Sequence, residues 1–245
     1  MIALKALRAL GPIDLKNIRR DPLLQWMVLT PLLMVALLRW LIPWLAALLL
    51  ARFAFDLKPY YALIMSCINL TVPLIVGVVT GFLLLDQRDD HTLSALQVTP
   101  LSLDGYLVYR VAAPAVVTLL ATVFVLQAGS LVPLSSGAAW MAALAAAPYA
   151  PMMALMYASV AQNKVQGLAV NKASGVILLP GLIAYFVPPV WQPLFGIFPT
   201  YWPLRLFWAL AAGQPGAWGY LAISLLFDAI LLAFFLRIFK RVMTS

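Results

Sequence analysis

The stretch Asp86-Gln87-Arg88-Asp89-Asp90-His91-Thr92-Leu93-Ser94-Ala95-Leu96-Gln97-Val98-Thr99-Pro100-Leu101-Ser102-Leu103 decides how the rest of the chain is read. It is an island of charge in a very apolar sequence. Half of the eight acidic residues (Asp86, Asp89, Asp90 and Asp104) fall in or beside it, as does the single histidine, His91. Residues 60–85 before it and 107–131 after it are long apolar stretches, and each exceeds the roughly 20 residues that cross a bilayer. The island therefore sits at one membrane surface, between two spans. Leu93, Leu96 and Val98 share one side of a short helix, which Pro100 ends. The pattern predicts an amphipathic helix along the surface, built to receive a partner.

Composition fixes the class. The chain is 64% hydrophobic and 10% charged, whereas soluble domains are about 25% charged. Its apolar runs are continuous and do not alternate with polar residues, so the spans are helices and not barrel strands. Cys67 is the one cysteine, so no internal disulfide forms. The net charge of +8 invites a nucleic-acid reading. That reading fails, because the basic residues border spans and do not build one basic face. The basic N-terminus is not followed by a short apolar segment with a small-residue cleavage site, so the first span reads as a retained signal anchor.

Taken in order, residues 1–22 carry Leu4, Leu7 and Leu10 against Lys5 and Arg8. Gly11-Pro12 is expected to interrupt, with Asp14 capping a second turn. This predicts an interfacial amphipathic helix; a plain signal-anchor flank is the alternative. Spans follow at about 23–50, 60–85, 107–131, 138–161, 173–187 and 217–239. Residues 162–172 read as a short loop. Residues 188–216 hold six prolines among many aromatics. No straight span survives that, and the segment predicts one or two short re-entrant helices with an aromatic belt.

On this topology twelve of the sixteen Lys and Arg residues lie on the island's side. Only Arg39, Arg52, Lys58 and Arg205 lie opposite. The positive-inside rule then puts both termini and the island in the cytoplasm, in a multi-pass protein of the inner membrane.

Few chemistries remain open. No GxxxxGK[ST], HExxH, CxxC or GxSxG occurs, and a lone Cys67 with a lone His91 makes no His/Cys metal cluster. One enzyme reading stays: Asp86, Asp89 and Asp90 holding Mg²⁺ against a diphosphate, as in prenyl- or phosphatidyl-transferases. Those enzymes generally present a larger acidic set. A channel or passive scaffold lacks support from any polar pore stripe.

The island also resembles the motif between the second and third spans of ABC-2-type permeases, E-[KR]-E-x-G-T-L-x-x-L-x-V-T-P. Thr92-Leu93, Leu96 and Val98-Thr99-Pro100 match it, the acids match in charge, and His91 stands where Gly is usual. The six-span layout extends the likeness over nearly the whole chain. Pro199-Thr200 before the last span is similar to the small multidrug and fluoroquinolone export permeases. The resemblance implies an all-α transmembrane domain of six helices, with an N-terminal interfacial helix, a coupling helix at 86–104 and re-entrant helices at 188–216. It implies a second permease chain and a separate ATPase subunit that supplies ATP and Mg²⁺; this chain needs no cofactor itself. Asp86, Arg88, Asp89, Asp90 and His91 would meet that ATPase, with Thr92, Leu93, Leu96 and Pro100 shaping the helix.

A few polar residues inside the spans are pathway candidates. Asp228 sits near the middle of the sixth span, where a carboxyl is costly; it is either a cargo contact or an interhelical lock. A pair with Arg39 requires a long reach. Asn69, at about Arg39's depth, reads as interhelical glue or a ligand. Thr71, Thr80, Thr118 and Thr122 are expected to bond backbone carbonyls. Tyr201 and Trp202 either anchor at the interface or line an exit. Few fixed charges suit an amphiphilic or lipid-like cargo.

Overall fold

The computed structural model describes residues 2–89, 103–161 and 163–244. Every regular element among them is helical. Helix α1 (Ile2–Arg20) runs unbroken through Gly11 and Pro12, against the expected interruption. Asp14 therefore caps nothing. It lies mid-helix and 8% exposed. Asp21 then starts α2 (Pro22–Ala36): its carboxylate accepts from Leu24 N at 3.3 Å, and Pro22 takes the first helical position, where no N–H is needed.

A wide π turn (Leu37–Leu41) joins α2 to α3 (Ile42–Phe53). Pro43 explains it. The ring removes an N–H and crowds the carbonyl four residues back, and the looser turn absorbs both. Arg39 lies in this turn, exposed. Ala54 ends α3 in the left-handed conformation, φ 52°.

Helix α4 (Tyr61–Asp89) is the central strut, and it packs on α2, α5 (Leu103–Gly129), α7 (Tyr149–Val160) and α10 (Tyr201–Ala211). Its tightest neighbour is α7 (Tyr149–Val160). Gly77 and Gly81 form a GxxxG face there. A Cβ added to Gly77 would stand 2.8 Å from the Ala150 carbonyl oxygen and from Met153 Cβ; one on Gly81 would stand 2.9 Å from the Tyr157 ring. Small residues at this spacing let two helix backbones approach.

The fourth span is bent. Helix α6 (Ser136–Ala146), capped by Ser135, gives way at Ala147-Pro148 to α7. The loop expected at 162–172 is instead mostly helix. Asn163 caps α8 (Lys164–Ser174) by accepting from Gln166 N at 3.0 Å. A 3₁₀ turn (Gly175–Leu178) leads on to α9 (Leu179–Phe186), so the fifth span starts earlier than its hydropathy suggested.

Between α9 and α11 (Ala217–Thr244) come a 3₁₀ piece (Gln192–Ile197) and α10 (Tyr201–Ala211). The aromatics expected as a belt divide. Trp191 is 60% exposed, whereas Tyr201, Phe207 and Trp208 are buried in the core. Trp208 Nε1 donates to Ser66 Oγ on α4 at 2.9 Å.

Among the described residues, six helical segments are long and apolar enough to cross a membrane: Leu24–Phe53, Lys58–Gln87, Gly105–Gly129, Ser136–Val160, Val165–Phe186 and Ala217–Arg241. Their outer faces are apolar, with Trp26, Trp40, Trp44 and Trp218 all more than 60% exposed. A bilayer covers such a surface. The chain is an all-α, multi-pass membrane protein.

Candidate functional site

The charged island begins in the last turn of α4 and ends at α5. Asp86 is half-buried there, and α4 carries the backbone on to Asp89. Asp90, His91, Thr92, Leu93, Leu96 and Pro100 lie outside the described residues.

What flanks the island is a buried polar knot. Arg110 on α5 donates from Nη1 to Asp14 Oδ2 at 2.7 Å and from Nη2 to Oδ1 at 3.1 Å. Tyr109 OH donates to Oδ2 at 2.8 Å. Gln87, two residues before the end of α4, donates from Nε2 to Asp14 Oδ1 at 3.4 Å and accepts from Tyr106 OH at 3.0 Å. The guanidinium also lies over the Tyr106 and Tyr109 rings, 5.2 and 5.3 Å from their centroids. Arg110 is 2% exposed and Tyr106 1%. One carboxylate thus takes four donors, which ties α1 to both helices that flank the island. In a low dielectric such a network is rigid while complete and costly when broken.

Sequence reasoning expected Asp14 to cap a turn and missed its pairing with Arg110. The signal was there in part: Arg110 is a cation inside an apolar run, and such a group needs a counter-ion.

A cavity of about 270 Å³ opens beside the knot, between α1, α2, α4 and α5. Asp14, Tyr109 and Arg110 form its polar end, and Met34, Val76 and Val79 are among its apolar walls.

The other intramembrane polar residues are scattered. Asp228 on α11 is 1% exposed, and its Oδ2 has no hydrogen-bond partner. No ion pair joins it to Arg39 among the described residues. The hydroxyl of Tyr149 on α7 is likewise buried and unpartnered. Asn69 is fully buried with both side-chain polar atoms unpaired. Thr71 and Thr80 donate to the Cys67 and Val76 carbonyls at 2.8 and 2.9 Å, as expected. Thr118 and Thr122 do not, and their buried hydroxyls lack partners. Tyr201 is buried, and Trp202 is half-buried with its Nε1 donating to the Gly196 carbonyl at 2.9 Å.

Comparison with known proteins accounts for most of the chain. A family model described as fluoroquinolones export permease protein Rv2686c-like matches residues 14–236. The fluoroquinolones export permease protein Rv2686c of Mycobacterium tuberculosis (strain ATCC 25618 / H37Rv) is 35% identical over 218 residues, covering 87% of this chain and 85% of that protein. Its counterpart MT2760 in strain CDC 1551 / Oshkosh matches to the same extent. These names describe transport and not group transfer, which agrees with the permease resemblance seen in the island. By the extent of these matches, the chain belongs to the Rv2686c-like family of fluoroquinolones export permease proteins.

Proposed function

We propose that this chain is the transmembrane permease subunit of an ATP-driven exporter. A separate ATPase subunit grips residues 86–104 from the cytoplasm, and two permease chains form the path across the inner membrane. The cargo is an amphiphilic small molecule, a fluoroquinolone among the candidates. The chain forms one transmembrane domain with both termini inside. Asp86, Arg88, Asp89, Asp90 and His91 pair with the ATPase, while Thr92, Leu93, Leu96 and Pro100 hold the coupling helix in shape.

The observation that carries this reading is the tie between Asp14, Gln87 and Arg110. A surface helix strung between α4 and α5 transmits force only if both ends are fixed to the bundle. The knot supplies that attachment on both sides and adds α1 to the moving body. Asp228, Asn69, Arg39, Tyr201 and Trp202 remain pathway candidates, and Asp228 is the carboxyl among them, buried to 1% exposure.

The test is reconstitution. The chain is expressed with the ATPase that co-purifies with it, and inverted membrane vesicles are supplied with a fluoroquinolone. ATP-dependent accumulation that needs both subunits supports the reading. ATP-independent flux, or export by the chain with no ATPase present, overturns it.

A further inference from the structure

We infer that a recess at the end of the bundle remote from the island is a binding site for organic oxyanions, a carboxylate or phosphate carried on an apolar body. Its volume is about 340 Å³, near the lower end of small-molecule sites. Arg205, Trp208 and Ala212 line it from one stripe of α10, joined by Tyr185 on α9 and by Gln192 and Gln214 in the flanking connections. Ala62, the second residue of α4, also lines it. Asp86 lies 24 residues further along that helix, about 36 Å at the helical rise. The recess and the island therefore stand at opposite surfaces of the bundle.

The aromatic walls are fixed before a ligand arrives. Trp208 Nε1 donates to Ser66 Oγ on α4 at 2.9 Å, and Tyr185 OH donates to the Pro59 carbonyl at 3.1 Å. The two rings meet edge to face, their centroids 5.1 Å apart at 71°. Walls held this way receive an apolar body with little further loss of side-chain freedom.

The headgroup class follows from an uncompensated cation. Arg110 is neutralised by Asp14, whereas Arg205 forms neither an ion pair nor a hydrogen bond among the described residues. No acidic residue occurs between Asp104 and Asp228. Asp56, the carboxylate between α3 and α4, accepts from its own neighbour Lys58 N at 3.0 Å. The Arg205 guanidinium lies over the Tyr220 ring on α11, 4.9 Å from its centroid. Stacking uses a face of the guanidinium and leaves the N–H donors at its edge available. Arg205 is only half-buried, and none of its nitrogens is both buried and unpartnered, so those donors are reachable. An oxyanion takes two of them in a charge-assisted fork. The exposed Gln214 amide, without a side-chain bond of its own among the described residues, supplies a further donor. An amine brings a second cation to the arginine and is rejected.

Two sources carry this chemistry: an exported amphiphile leaving the bundle, and a phospholipid of that leaflet. The inference rests on the export reading only for the meaning of the recess as an exit site. Binding is therefore measured on the full-length chain alone, without ATPase, in dodecyl maltoside micelles, which carry no oxyanion. Failed export leaves the binding result standing, and failed binding leaves export standing. The probes are 4-(trifluoromethyldiazirinyl)benzoate, its primary amide and the matching benzylamine, with labelled residues read by mass spectrometry. The carboxylate is expected to label recess residues on α9 and α10 about tenfold more than the other two, the effect of one charge-assisted bond. Arg205→Gln is expected to remove that preference, and Ala212→Trp, which fills the recess from an exposed position and leaves the arginine in place, to cut carboxylate labelling about tenfold. Competition by dioctanoyl phosphatidylglycerol assigns the recess to lipid headgroups, and labelling that withstands it assigns the recess to carboxylate cargo. Either result upholds the site. Equal labelling by all three probes in the unmodified chain, or carboxylate labelling undiminished in Ala212→Trp, overturns it.

Discussion

Asp14 and Arg110, 96 positions apart in sequence, meet as a buried bidentate ion pair with contacts of 2.7 and 3.1 Å. Removing one partner strands the other charge in a low dielectric. Asp14→Ala or Arg110→Ala is expected to cost about 3–5 kcal/mol of stability, while the double replacement Asp14→Leu/Arg110→Met costs less than either single change. Thermal unfolding of the detergent-solubilised chain measures this. Single changes that cost no more than an ordinary surface substitution would show that the pair holds nothing together.

Gly77 sets the distance between α4 and α7. A methyl group there meets the Ala150 carbonyl oxygen at 2.8 Å, which is backbone and cannot rotate away. Gly77→Ala is expected to destabilise by about 1–3 kcal/mol through forced separation of the helices. Gly219, in the first turn of α11, has nothing within 4 Å of the same added methyl. Gly219→Ala is expected to stabilise by about 0.5 kcal/mol, because alanine loses less backbone freedom on folding. Opposite signs in the two unfolding curves are the result that counts.

The spans were legible in the sequence because hydropathy is local. A run such as residues 60–85 announces itself without knowledge of its neighbours, and so does the charged island after it. What sequence did not yield depends on distant partners. Pro12 was expected to break α1, yet the helix runs through it and presents Asp14 to Arg110. Residues 162–172 looked like a loop because they are polar, whereas Asn163 caps a helix that continues into the fifth span. Tyr201 and Trp208 looked interfacial by residue type but are core residues, since α10 lies against α4. The Gly77/Gly81 spacing was readable by eye, and its partner helix was not. The knot is the extreme case: a carboxylate on α1 acquires its meaning only from side chains on α4 and α5.

Asp228 is buried to 1% exposure, and one of its carboxyl oxygens has no partner. Asp228→Asn keeps the size and polarity of the side chain and removes only the carboxyl group. Asp228→Asn is expected to shift stability by less than about 1 kcal/mol and to keep export, whereas Asp228→Lys buries a cation and destabilises by several-fold more. Paired unfolding and export assays decide it. Loss of export in a stably folded Asp228→Asn chain would make the carboxylate itself a working part of the pathway.

If a partner ATPase moves the bundle by gripping residues 86–104, the number of cargo molecules exported per ATP hydrolysed, in vesicles holding both subunits, depends on the charges there. Asp89→Lys/Asp90→Lys is expected to lower this ratio about tenfold, a coupling loss of ordinary size, while the ATPase still turns over. An unchanged ratio in the charge-reversed chain would contradict it.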